Sequence, residues 1–300
     1  GSAIAGELVR TLTERVLPVP MGIQRDYHVP AFVGPETLVI ASSYSGNTEE
    51  TLAAYQQARE RGARTVVMTT GGRLAALARA NGDPLLQLPA GLQPRAALAY
   101  SLVPLLAILA RGGLLPPVEP EVAEAASVLE GMSRRLGPGV PAGANPAKTL
   151  AGRMAGRVPV IYGSGAWTGA VAYRWKCQIN ENAKHPAAWN AFPELDHNEI
   201  VGWEAERAPV AGFVVLILRD RDDPPAIARR VEVTRRLMEP RVGPIVELVS
   251  EGTSPLARLL SLVYLGDWAS YYLALLNGVD PTPVATIERL KQELARSGAP

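Results

Sequence analysis

The stretch Ser42-Ser43-Tyr44-Ser45-Gly46-Asn47-Thr48-Glu49-Glu50-Thr51 crowds hydroxyl groups between a strand pattern and a helix pattern. An anion placed at such a bend meets free backbone N–H groups, the positive end of the helix dipole and several O–H donors. Gly46 lets the backbone bend closely there. The plain alternative is that Asn47 and Thr48 only cap a helix, with Glu50 or Thr51 completing the cap. Three hydroxyl residues ahead of the cap exceed what one cap requires. The stretch is not the nucleotide P-loop, which carries Lys-Ser or Lys-Thr after its second glycine, nor the dinucleotide fingerprint.

Groups able to move protons lie further along. Asn180-Glu181-Asn182 closes a long helix pattern. A carboxylate there faces the negative end of the helix dipole, which favours its protonated form and suits a general base working near neutrality. Taken alone, Glu181 is a solvated helix-end glutamate. The chain has three histidines, His28, His185 and His197, and imidazole is the natural proton exchanger near neutral pH. His185-Pro186 reads as a helix-ending loop and His28 as surface. His197 has a capping or core role as its alternative. Arg95 follows a proline in a loop before a helix, where a surface arginine is the ordinary reading. Lys291 lies in Ile287-Glu288-Arg289-Leu290-Lys291, where a solvated helix face competes with a site role. No His, Cys and acidic residues have metal-ligand spacing.

The elements that must position these groups follow from periodicity. Strands are expected at Glu36–Ser42, Arg64–Thr69, Leu85–Leu88, Arg157–Tyr162, Phe213–Leu218 and Pro244–Val249, as short apolar runs bounded by turn residues. Helices are expected at Thr48–Arg61, in a short stretch after the Gly71-Gly72 break to Ala80, and at Leu98–Ala110, Glu121–Arg135 and Ala166–Lys184. Further helices run to about Met238, over Pro255–Asn277 and near Thr286–Arg296. Strand and helix alternate in both halves, which points to α/β architecture with two doubly wound parallel-sheet subdomains flanked by helices. Residues 1–115 form the first, 116–150 a helical connection rich in Gly and Pro, and 151–300 the second with its C-terminal helices. Ligands in such sheets sit beyond the carboxyl ends of the strands.

Composition narrows the partners. With 47% hydrophobic and 20% charged residues the chain is globular rather than disordered. A net charge of +1 gives no general attraction to nucleic acid or to a membrane surface, so an anion must be held by a local site. The single cysteine, Cys177, excludes an internal disulfide and suits the cytoplasm. No unbroken apolar segment reaches bilayer length, the longest candidate being the helical Leu98–Leu109, and no leader pattern is visible. The sequence starts without Met, so any targeting signal ahead of Gly1 lies outside it.

Ser43–Thr51 resembles the phosphosugar-binding loop of SIS (sugar isomerase) domains, and Gly1-Ser2-Ala3-Ile4-Ala5-Gly6 resembles the earlier glycine–serine loop of that domain. Gln93-Pro94-Arg95, Asn180-Glu181-Asn182-Ala183-Lys184 and Glu194-Leu195-Asp196-His197-Asn198-Glu199 narrow the resemblance to bifunctional phosphoglucose/phosphomannose isomerases, from Gly1 to about Lys291. The family's first strand would precede Gly1. The resemblance implies a cofactor-independent aldose–ketose isomerase acting on glucose 6-phosphate, and on mannose 6-phosphate, through a cis-enediol to fructose 6-phosphate. Gly1, Ser2, Ser43, Ser45 and Thr48 would hold the phosphate, Glu181 would be the base and His197 would open the ring. Arg95 would stabilise the enediolate, and Lys291 would lie near the sugar. Thr282, with Thr286 as a rival, would bear on tolerance of both C2 epimers. The resemblance further implies a homodimer in which His197 serves the partner's site, with no metal, cofactor, nucleic acid or membrane. A non-catalytic phosphosugar-binding SIS module and another SIS-domain phosphosugar isomerase remain as alternatives.

Overall fold

A computed structural model describes residues 2–165, 167–204 and 210–296. The chain divides into two compact units, Gly1–Val122 and Ala123–Pro300. The first contains α1 (Ser2–Thr13), β1 (Leu38–Ser42), α2 (Glu49–Glu60), β2 (Arg64–Thr69), α3 (Gly72–Asn81), β3 (Leu85–Gln87) and α4 (Leu98–Arg111). Its strands pair in parallel in the order β1-β2-β3, with Ser42 opposite Met68 and Thr69 opposite Gln87. The sheet buries Ala41 and Val67 against Leu52 and Tyr55 of α2 and Leu74 and Ala78 of α3. Spacings of three and four residues put each helix's apolar side chains on one face.

The N-terminus corrects one expectation. Residues 2–6 are not a loop: α1 starts at Ser2 and packs on α4. Ile4, Ala5, Leu8 and Val9 are buried at helical spacing, and that stripe decides the conformation over the Gly and Ser that suggested a turn. Gly1 lies outside the described residues.

The second unit begins within α5 (Glu119–Leu136), which starts ahead of the boundary. It holds α6 (Pro146–Met154), β4 (Val158–Ser164), α7 (Gly169–Ala183), β5 (Ala188–Phe192), α8 (Glu199–Gly202), β6 (Phe213–Arg219), α9 (Pro225–Met238), β7 (Ile245–Val249), α10 (Pro255–Leu276) and α11 (Ala285–Arg296). All strands are parallel in the order β5-β4-β6-β7. Chain direction across the sheet therefore reverses between β4 and β6, as in doubly wound folds. Tyr162, Phe192, Val215, Ile217 and Val231 form the core on one side.

β5, α6 and the short α8 also escape the periodicity reading. β5 (AWNAF) lacks β-branched residues, and its strand character comes from pairing with β4. α6 follows a Gly/Pro-rich loop, but Asn145 accepts from the amides of Ala147 and Lys148 and Pro146 occupies the first turn, so the apparent turn signal is a helix start.

α10 is 22 residues long and, by length and composition, apolar enough to cross a membrane. Arg258 and Asp267 interrupt its apolar run. More than half of that stretch is buried, and the helix packs on α6 and α7 as a core element. A Cβ on Gly266 would lie 2.3 Å from the Trp175 indole, so α10 and α7 pack as closely as glycine permits. Trp175 Nε1 donates to the Leu262 carbonyl at 2.9 Å.

Candidate functional site

In the first unit, residues 43–48 form the turn from β1 to α2. Thr48 stands at the N-cap of α2, yet its side chain makes no capping bond. Its hydroxyl lies 2.8 Å from that of the buried Ser43, which also accepts from the Gly46 amide at 3.1 Å. The first amides of α2 are thereby left without a side-chain acceptor, and open amides at a helix start attract an anion. Ser45 is exposed, and its hydroxyl accepts from the Asn47 amide at 3.3 Å. Ser2, at the start of α1, accepts from the Tyr44 amide at 3.1 Å. Ser2, Ser43 and Thr48 thus converge on one turn.

Residues outside the sequence reading brace this turn. Gly71-Gly72 reads as a strand break, but a Cβ on Gly46 would fall 1.8 Å from the Gly71 carbonyl oxygen, and one on Gly72 2.5 Å from that of Ser45. The Asn47 carboxamide accepts from the Arg73 amide at 3.0 Å, so it serves α3 rather than α2. Tyr44 ties the turn outward: its hydroxyl donates to the Pro89 carbonyl at 2.9 Å and accepts from the Leu92 amide at 3.2 Å. The paired glycines are the signal that was available. Arg95 lies in a turn before α4 and is buried, not on the surface.

In the second unit, Glu181 sits half-buried in the last turn of α7. Its neighbours are fastened: Asn180 Nδ2 donates to the His185 carbonyl at 2.8 Å and Asn182 Nδ2 to Ser270 Oγ at 2.9 Å. His185 is engaged on both ring nitrogens, by the Arg157 carbonyl at 2.6 Å and by Asn277 at 3.2 Å, and secures the chain after α7. Thr282 is exposed in the turn between α10 and α11, where its amide donates to the Asp280 carboxylate at 2.8 Å. That hydrogen bond holds the Asp280 carboxyl below the usual carboxylate range. Thr286 is exposed in the first turn of α11.

His197 ends a 3-10 turn, Glu194–His197, and its ring is exposed. The residues around it are anchored. Asp196 accepts from Thr234 Oγ1 at 2.8 Å and from Arg230 at 3.2 Å, both on α9. Glu199 accepts from the Tyr162 hydroxyl at 2.6 Å and from Asn190. Burial, then the Glu199 carboxylate, pushes the Tyr162 hydroxyl far above its ordinary range, so it stays a donor. The acidic residues hold the strap and the imidazole is presented to solvent. Lys291 is exposed on α11, where none of the described residues is buried. Among the described residues no three His, Cys, Asp or Glu side chains are placed to hold a metal ion.

A parallel α/β unit with this hydroxyl-lined turn, joined to a second one carrying Glu181, defines a SIS-type phosphosugar protein. Residues 7–109 match the family model of the SIS domain, and residues 143–294 that of the bacterial phospho-glucose isomerase C-terminal SIS domain. The bifunctional phosphoglucose/phosphomannose isomerase of Caldicellulosiruptor bescii is 46% identical over 98% of this chain and 87% of its own length. That of Aquifex aeolicus is 38% identical over 99% of this chain and 88% of its own length. The chain belongs to the bifunctional phosphoglucose/phosphomannose isomerase family of sugar-phosphate isomerases. The crystal structure of a glucose-6-phosphate isomerase like protein from Thermus thermophilus shares the fold, with a TM-score of 0.62 at 22% identity, covering 96% of this chain and 98% of that one.

Proposed function

We propose that this chain interconverts glucose 6-phosphate, and mannose 6-phosphate, with fructose 6-phosphate through a cis-enediol, without metal or cofactor. The observation that carries the reading is the β1–α2 turn, where Thr48 sits at the cap position but turns its hydroxyl to Ser43 and leaves the helix amides open. Ser43, Ser45 and Thr48, with Ser2 and Gly1, take the 6-phosphate. Bound there, the dianion fixes the sugar, and one carboxylate can serve two adjacent carbons.

His197 exchanges protons at the ring oxygen and the anomeric hydroxyl, and the ring opens. Glu181 removes the proton from C2 of the aldose and returns it to C1 of the ketose. The enediolate carries negative charge on oxygen, and the buried Arg95 offsets it. Lys291 lies near the sugar, and Thr282 bears on the tolerance of both C2 epimers. The exposed ring of His197 is consistent with service to a partner's site in a homodimer. The protein acts in the cytoplasm, on a small sugar phosphate, with no nucleic acid or membrane partner.

The test is a coupled assay with fructose 6-phosphate and EDTA, comparing Glu181→Gln with the parent. The variant is expected to bind fructose 6-phosphate and turn it over at least about a hundredfold more slowly, in keeping with loss of general base catalysis. Equal rates would remove Glu181 as the base. A parent that binds the ligand without isomerising it would make the chain a phosphosugar-binding module.

A further inference from the structure

Lys184 follows α7 in a left-handed conformation, with φ 50° and ψ 40°. It is the one residue other than glycine with positive φ among the described residues. Glycine is the usual occupant of this position after a helix, and any other residue is strained there. Such strain persists where the surroundings enforce it, and it clusters at functional sites. Here the surroundings are visible. Lys184 Nζ donates to the carbonyls of Glu181 at 2.9 Å, Asn182 at 3.4 Å and Asp280 at 2.7 Å.

These three carbonyls belong to two segments. Glu181 and Asn182 are the last turn of α7, whose final carbonyls lack helical partners. Asp280 opens the turn that continues to Thr282, and its own carboxylate receives the Thr282 amide. One ammonium therefore joins the segment bearing Glu181 to the segment bearing Thr282. A glycine would relax the backbone and lose the ammonium, so conformation and contact are separable by mutation.

We infer that Lys184 is a positioning residue for the isomerisation: it ties the end of α7 that bears Glu181 to the Asp280–Thr282 turn. The inference rests on Glu181 being the base. Lys184 does not touch the substrate in this scheme. It limits how far the end of α7 and the turn move apart, so proton transfer at C1 and C2 keeps its geometry while phosphate binding is untouched.

The experiment compares Lys184→Gly, Lys184→Arg and Glu181→Gln with the parent, measuring kcat, KM and melting temperature with fructose 6-phosphate. Lys184→Gly is expected to melt no lower than the parent, because glycine suits the left-handed position. Its kcat should fall about tenfold to a hundredfold, the cost of a displacement of roughly 1 Å at a reacting group, with KM little changed. Its ratio of mannose to glucose 6-phosphate should also shift. Lys184→Arg, which keeps charge and donors, should recover most of kcat. Parental kcat in Lys184→Gly beside an inactive Glu181→Gln would overturn the positioning role alone. So would a kcat loss that tracks a fall in melting temperature. An active Glu181→Gln would instead overturn the base on which the inference rests.

Discussion

The Thr48 hydroxyl lies 2.8 Å from that of Ser43, across the turn, instead of folding back onto the amides of α2. A residue at a helix start has thereby given up capping for a place among the proposed phosphate donors. Thr48→Val should cost less stability than the roughly 1 kcal/mol of a lost cap, because no capping bond is broken. Loss of one hydroxyl to a charged phosphate is worth about 1.5–3 kcal/mol, so KM for fructose 6-phosphate should rise about tenfold or more. Melting curves and steady-state kinetics on the same preparation check both halves.

Gly46 has φ +70°, and a Cβ there would meet the Gly71 carbonyl oxygen at 1.8 Å. Gly46→Ala combines backbone strain with overpacking, and each is worth about 1–3 kcal/mol. A denaturant midpoint well below the parent's, with fructose 6-phosphate binding lost, is expected. A variant with parental binding would mean that the turn is not braced by Gly71-Gly72.

Asp196 ties the His197 strap to α9 through Thr234 and Arg230. Asp196→Ala leaves Thr234, which is buried, without that partner, at about 1–3 kcal/mol. The strap should loosen, and kcat should fall more than KM changes, because ring opening suffers and phosphate binding does not.

Gly266→Ala would place a methyl 2.3 Å from the Trp175 indole. The packing of α10 on α7 should lose about 1–3 kcal/mol, read as a lower melting temperature and a changed tryptophan emission. Unchanged melting would show that the two helices are not in contact at this point.

Acid should weaken the first unit through Asp83. Burial pushes its carboxyl up, but hydrogen bonds from Tyr55 and Arg59, with the guanidinium's charge, more than offset this and hold it below its ordinary range. A carboxyl lowered on folding stabilises fully above its unfolded value near pH 4 and loses that contribution as pH falls through the folded value. Asp83→Asn should therefore lower stability at neutral pH and flatten the acid limb of the stability profile below about pH 4.

Much of this molecule was legible in local sequence. Leu38–Ser42, Arg64–Thr69 and Phe213–Arg219 are apolar β-forming runs between turn signals, and each is a strand. The hydroxyl run at 42–51 marks a candidate anion site through side-chain type alone. Motifs around Glu181 and His197 pointed to the family. Some local signals carry two meanings. Gly and Ser at the start suggested a turn, while Ile4, Ala5, Leu8 and Val9 formed a buried helix stripe. Asn145-Pro146 resembled a turn and was a cap.

The sequence by itself determined the parallel α/β class, the order of most elements and the chemical inventory of the site, because those depend on periodicity and side-chain type within a few residues. Only the tertiary structure decided what the donors do. It turned Thr48 to Ser43, set Gly71-Gly72 against the β1–α2 turn, made a strand of Ala188–Phe192 and sent the Lys184 ammonium to the Asp280 carbonyl. Each of these joins residues by a contact across the fold or a choice among local partners, and neither is written in the spacing of residues along one element.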